Sequence, residues 1–145
     1  MMGTVSENKP LVERFWQTLY RRDWEAIASY FDDDSHYEDV PAPDMGADGA
    51  TNIVKRLRIG LEPIERFQHR TDRMIAEDDV VMTEHTETWH FHTGEVVANP
   101  FVSVHVIEHG KIKLWKDYWD LQTLLGAAPQ WWLDRIMSFS EQDFS

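Results

Sequence analysis

The sequence predicts an α+β fold in which N-terminal helices cover one face of a curled, mostly antiparallel sheet and enclose a pocket. Three observations predict it. In the first part of the chain Leu11, Val12, Phe15, Trp16 and Leu19 recur at helical spacing. From Arg66 onward, long alternating runs rich in β-branched and aromatic residues take over. Short polar turns at 77–79, 93–94 and 109–110 separate these runs, as in an antiparallel meander.

Taken in order, Ser6 is placed to cap the first helix, and Arg21 and Arg22 to close it favourably against its dipole. Asp23 caps a second, shorter helix with Trp24, Ile27, Ala28 and Phe31 on its buried side. The acidic run Asp32, Asp33 and Asp34 ends the helical region. Residues 35–40 read as a short strand with Tyr37 and Asp39 on one face, and 41–46 as a stiff loop. Ile53, Val54, Leu57 and Leu61 mark a third helix from Asp48 or Gly49, which Pro63 stops. Strands follow over 66–76, 80–92, 96–108 and 111–121. Pro129 interrupts the tail, and Trp131, Trp132, Ile136 and Met137 suggest an apolar helix on the barrel mouth or on a neighbour.

The strand over 80–92 carries the chemistry. Side chains two apart share a face, so Val81, Thr83, His85, Glu87, Trp89 and Phe91 point together toward the core. An imidazole and a carboxyl group between apolar neighbours are expensive to bury unless paired or functional. On the last strand Lys113, Trp115, Asp117, Trp119 and Leu121 share a face, which makes Asp117 a second inward carboxyl group. With Tyr37 and Asp39, five polar side chains from three strands converge in an aromatic-rich interior, as a small-molecule acid–base site requires. His85 titrates near neutrality and can move a proton either way. Glu87 or Asp117 can hold its tautomer or act as the base, Tyr37 can donate to a developing oxyanion, and Asp39 can fix Tyr37 or position a water. Trp16, Trp89, Phe101, Trp115 and Trp119 are the candidate substrate-binding residues. A lone inward His or Asp is more commonly a satisfied core residue; the joint occurrence of His85, Glu87 and Asp117 is what favours a site.

The 145 residues suit one domain with a single sizeable core. A formal charge of −12 repels phosphate backbones and anionic lipid, so neither a nucleic-acid nor a membrane partner is expected. With no cysteine, disulfides, thiol catalysis and thiolate metal sites are excluded. His90 and His92 fall on the face opposite His85 and match no zinc spacing, so no metal or other cofactor is expected. Residues 1–7 show no basic stretch leading into an apolar run, which makes a soluble, cytoplasmic protein the default expectation.

Thr83-Glu84 through Glu87, Pro100-Phe101-Val102, Gly110-Lys111-Ile112 and Trp115-Lys116-Asp117-Tyr118-Trp119-Asp120-Leu121 resemble the SnoaL-like branch of the nuclear transport factor 2-like superfamily. The limonene-1,2-epoxide hydrolase group within it looks closest, and the resemblance spans roughly residues 9–125. It implies a cone-shaped α+β barrel with an apolar pocket, in a homo-oligomer such as a dimer or trimer. In those hydrolases an Arg and an Asp two apart on one strand, an Asp at the Trp-x-Asp-Tyr motif, and a Tyr and an Asn after the helices form the site. Asp117 and Tyr37 match; His85, Glu87 and Asp39 stand where Arg, Asp and Asn are expected. A titratable imidazole in place of a fixed cation changes the electrostatics of epoxide opening.

Relatives such as ketosteroid isomerase and scytalone dehydratase run cofactor-free proton transfers with Asp, His and Tyr, and this residue set is nearer theirs. The expected function is therefore a cofactor-independent lyase, dehydratase or isomerase acting on a small hydrophobic, aromatic substrate. An epoxide hydrolase with a modified triad and a non-catalytic binder of hydrophobic ligands are the alternatives.

Overall fold

A computed structural model describes residues 5–139, with side chains from Glu7 onward; most of the N-terminal stretch read for a signal therefore lies outside the described residues. The chain runs α1 (Val5–Arg21), α2 (Trp24–Ala28), β1 (His36–Asp39), β2 (Ala47–Asp48) and α3 (Ala50–Leu61). It continues through β3 (Arg66–Glu77), β4 (Val80–His90), β5 (Val96–Glu108), β6 (Lys111–Tyr118), α4 (Leu121–Ala127) and α5 (Gln130–Met137). Ser6 lies within α1 as described, not ahead of it.

The six strands form one sheet in the order β2-β1-β6-β5-β4-β3. The sheet curls but leaves β2 and β3 as separate edges, so the expected barrel is an open cone. β3 to β6 form the antiparallel meander, whereas β1 joins β6 in parallel with Asp39 opposite Asp117. The odd-numbered residues of β4 from Val81 to Trp89 are all buried, as their alternation with polar neighbours requires. Val97, Asn99, Phe101, Ser103, His105 and Ile107 form the matching buried face of β5. Phe15, Trp16 and Leu19 of α1 and Ile53 and Leu57 of α3 close the concave side.

Several boundaries differ from the sequence reading for identifiable reasons. β4 ends at His90 because Phe91 turns to donate its N–H to the Glu95 carbonyl at 3.0 Å. β6 ends at Tyr118 because Asp120 caps α4, accepting from Gln122 N at 2.9 Å. The two-residue strand β2 exists only through its pairing with β1. Gly46 brings the chain there at φ +81, where a Cβ would overlap the Tyr37 carbonyl oxygen. Lys113 does not share the inward face of Trp115 and Asp117; it pairs with Asp32 at 2.6 Å and Asp34 at 2.5 Å. Arg22 does not close α1 but reaches the end of α3, donating to the Leu61 carbonyl at 3.1 Å. Asp23 does cap α2, accepting from Ala26 N at 3.1 Å. Among the described residues, no helix is long and apolar enough to cross a membrane.

Candidate active site

A cavity of about 570 Å³ lies between the concave face of the sheet and the helices. Its wall is mostly apolar, with Trp16, Trp89, Phe101, Trp115 and Trp119 among its aromatic side chains. Helix α5 closes the mouth with Trp132, Leu133 and Ile136. Tyr37, Asp39, Glu87 and Asp117 line the same space, together with Asp44, Arg56 and Asn99.

Asp39 sits in a dense ring of donors. Tyr37 donates its hydroxyl to Oδ2 at 2.8 Å, the Trp119 indole donates to Oδ1 at 3.0 Å, and Arg56 Nη2 donates to Oδ2 at 3.2 Å. The other arm of Arg56 pairs with Asp44 at 2.9 Å, so one guanidinium bridges two carboxylates. Burial works against the Arg56 charge, but Tyr37, Asp39 and Asp44 outweigh it and raise its pKa. The Tyr37 ring stacks on Trp115 with centroids 3.9 Å apart. Burial, then the negative charges of Asp39 and Asp117, push its phenol pKa up and keep it a donor.

Asp117 stands beside Asp39 on the neighbouring strand. Its Oδ1 accepts from Ser103 Oγ at 2.5 Å and from the Trp115 indole at 2.6 Å. Burial, followed by the charge of Asp39, raises the Asp117 pKa well above the usual carboxylate range despite those bonds. Glu87 accepts a hydrogen bond on Oε2 from the hydroxyl of Tyr20 in α1. Burial pushes Glu87 up to about 7, only partly offset by Tyr20 and by the Trp89 indole. The cavity thus holds an ion-paired carboxylate beside two carboxyl groups whose burial favours the protonated form.

His85 occupies a different place from the other four. It is 0 % exposed and is part of the wall behind the cavity, with Phe101 stacked on it at 3.6 Å between centroids. Neither Glu87 nor Asp117 is its partner. Nδ1 meets His69 Nε2 at 2.8 Å, and Nε2 meets Ser103 Oγ at 2.9 Å. Burial, with His69 and His105 nearby, lowers its pKa to about 2, so the ring is neutral where an unperturbed histidine would titrate. His90 bonds Gln68 at 2.9 Å and His92 packs on Trp131, both away from His85.

Several members of the site were not singled out from sequence. Asn99 and Ser103 share the buried parity of Phe101 on β5, and that alternation was a usable signal. Arg56 falls beside Leu57 and three residues after Ile53, on the buried side of α3. Nothing local marked Tyr20 or His69, whose partners lie on other elements.

Residues 12–115 match the family model described as the SnoaL-like domain. No curated protein matches the chain. A Mycobacterium tuberculosis LEH-like epoxide hydrolase superposes with a TM-score of 0.72 at 24 % identity, covering 84 % of this chain and 89 % of that one. A candidate SnoaL-like polyketide cyclase from Shewanella putrefaciens gives 0.76 at 15 % identity, covering 83 % and 94 %. TerC co-crystallised with polyporic acid gives 0.70 at 18 % identity, covering 82 % and 95 %. The open cone, the pocket beneath its helices and the span of the family match agree: the chain belongs to the SnoaL-like domain family.

Proposed function

We infer that the protein is a cofactor-free acid–base enzyme, of lyase, dehydratase or isomerase type, for a small hydrophobic molecule that carries an oxygen function. The observation that carries this reading is the pairing of Asp117 with Asp39. Asp117, whose burial favours the protonated form, and Asp39, ion-paired to Arg56, stand opposite each other on neighbouring strands and supply an acid and a base in one pocket. Both donors to Asp117 fall on Oδ1, which leaves Oδ2 for the proton and for the cavity. Asp39, ion-paired to Arg56, serves as the base, with Tyr37 shared between it and a substrate oxygen. Glu87, raised to about 7 by burial, is a second group able to give up or take a proton near neutrality. His85 acts through Ser103 and not on the substrate. The apolar walls exclude water and hold an aromatic body, which agrees with a relative that was co-crystallised with polyporic acid.

A panel of hydrophobic ketones, enols, hydroxylated aromatics and epoxides, followed by mass spectrometry, tests this. A product of unchanged mass or one lighter by one water, absent with Asp117→Asn, is the expected result. Capture of ligands without turnover, or turnover untouched in Asp117→Asn, would overturn it.

One observation favours a second reading, epoxide hydrolysis. Arg56 lies between Asp39 and Asp44 on the cavity, a carboxylate–Arg–carboxylate arrangement suited to positioning a water. A product heavier by one water, formed from an epoxide and lost in Arg56→Met, would select it.

A further inference from the structure

A chain of polar groups crosses the sheet behind the cavity wall: His69 on β3, His85 on β4, Ser103 on β5 and Asp117 on β6, one from each of four adjacent strands. The contacts are 2.8 Å from His69 Nε2 to His85 Nδ1, 2.9 Å from His85 Nε2 to Ser103 Oγ, and 2.5 Å from Ser103 Oγ to Asp117 Oδ1. With neutral rings the three links can run in either of two directions, and the Trp115 indole favours one of them. The Trp115 indole can only donate, and a carbonyl-like oxygen is the better acceptor, so its contact at 2.6 Å favours Oδ1, which also takes the Ser103 hydrogen, as the carbonyl-like oxygen of Asp117. Ser103 has then spent its hydrogen and must accept from His85, which fixes the hydrogen of that ring on Nε2. Nδ1 of His85 is thereby an acceptor, and His69 must carry its hydrogen on Nε2 to meet it.

We propose that His69, His85 and Ser103 are positioning residues that hold the Asp117 proton on Oδ2, the oxygen left for the cavity. The inference rests on the acid role assigned to Asp117 above. His69 ends the chain at the edge strand and, by donating to Nδ1, opposes the Nδ1–H form of His85; its half-buried ring is stacked against Trp16 and tilted against Tyr20. If His85 carried its hydrogen on Nδ1 instead, Nε2 would call for the Ser103 hydrogen. Asp117 Oδ1 would lose a donor, and the proton would no longer be confined to Oδ2. Phe101, stacked on the ring at 3.6 Å, and Trp16, perpendicular to it at 4.6 Å between centroids, keep the His85 ring plane in place, so direction is controlled by hydrogen bonding and not by ring rotation.

Long-range 15N NMR of histidine-labelled protein reads the two tautomers directly, and infrared spectroscopy reads the Asp117 carboxyl band, assigned by its loss in Asp117→Asn. Both are made without substrate, so their outcome is independent of whether any reaction is catalysed. Both rings are expected as Nε2–H in the unsubstituted protein. His69→Phe keeps the stack but frees His85 to take the Nδ1–H form, and Ser103→Ala removes one donor from Oδ1; each is expected to shift the carboxyl band, while Ser103→Thr leaves it in place. An Nδ1–H ring at His85 in the unsubstituted protein overturns the proposal without any variant. So does a carboxyl band that moves in neither His69→Phe nor Ser103→Ala.

Discussion

The hydroxyl of Tyr20 on α1 donates to Oε2 of Glu87 on β4, joining the first helix to the cavity floor across 67 residues of chain. Burial raises the Tyr20 phenol pKa, and the Glu87 charge adds to the rise, so the tyrosine stays a donor. The bond is compatible with a neutral Glu87 acid as well as with its anion, which is why burial prevails in raising the acid to about 7.

A carboxyl group whose folded pKa lies above its unfolded value binds its proton more tightly in the folded state. Its contribution to stability is present at low pH and is lost as pH rises from about 4.5 toward 7, because only the unfolded chain ionises freely in that window. Over those pH units the difference amounts to about 3 kcal/mol. Glu87→Gln removes the penalty. Relative to the unsubstituted protein, urea denaturation should show it gaining about 3 kcal/mol between about pH 5 and about pH 8. A constant difference across that range would mean that Glu87 is ionised in the folded protein throughout. The buried histidines His85 and His105, lowered to about 2 and about 3, act in the opposite sense below neutrality. They are common to both proteins and cancel in the comparison.

Arg56 is the cation that organises the other side of the cavity. Its partners Asp39 and Asp44 are 18 % and 31 % exposed at the side chain, so removing the guanidinium leaves both partly desolvated carboxylates without their cation. Arg56→Met should lower stability by about 2 kcal/mol, below the range for fully buried pairs because solvent screens part of the loss. Arg56→Lys should restore only part of it, since an ammonium cannot reach both carboxylates with a planar fork. Denaturation midpoints of the two variants check this: a Lys midpoint equal to that of the unsubstituted protein would show that charge alone, not the bridging geometry, holds Asp39 and Asp44.

The inward face of β4 was legible because apolar residues at both ends of the alternation announced which side was dry. The same reasoning on β5, where Val97 and Ile107 bracket Asn99, Phe101, Ser103 and His105, recovers the serine that links His85 to Asp117. Parity alone could not tell wall from lumen. His85 and Glu87 share a face, yet Phe101, opposite His85 on β5, stacks over one, while the other, opposite Asn99, reaches the cavity. Strand-like alternation over 115–121 also concealed α4, although Asp120 at its cap was a helix signal in plain view. Arg56 was hidden for a different reason: a charged residue on an amphipathic helix reads as solvated until the carboxylates it meets, on β1 and its following loop, are placed in space.

The mouth of the cavity depends on one helix–helix contact. Trp132 on α5 donates its indole N–H to the Gly60 carbonyl on α3 at 2.8 Å, and Arg135 donates to the Ile59 carbonyl at 2.8 Å. These bonds occupy carbonyls in the last turn of α3, which its own ladder leaves open. The same indole packs against Trp89 at 5.4 Å between centroids and is almost fully buried. Trp132→Ala should therefore cost about 3 kcal/mol through lost burial and the space it leaves. It should also weaken capture of a neutral aromatic probe such as 2-naphthol, because the wall that α5 supplies is no longer pinned to α3. Trp132→Phe keeps most of the ring and loses only the bond to Gly60, so it should bind the probe more tightly than the alanine variant. Equal probe affinity in the unsubstituted protein and Trp132→Ala, measured by fluorescence titration, would show that α5 is not part of the enclosing wall in solution.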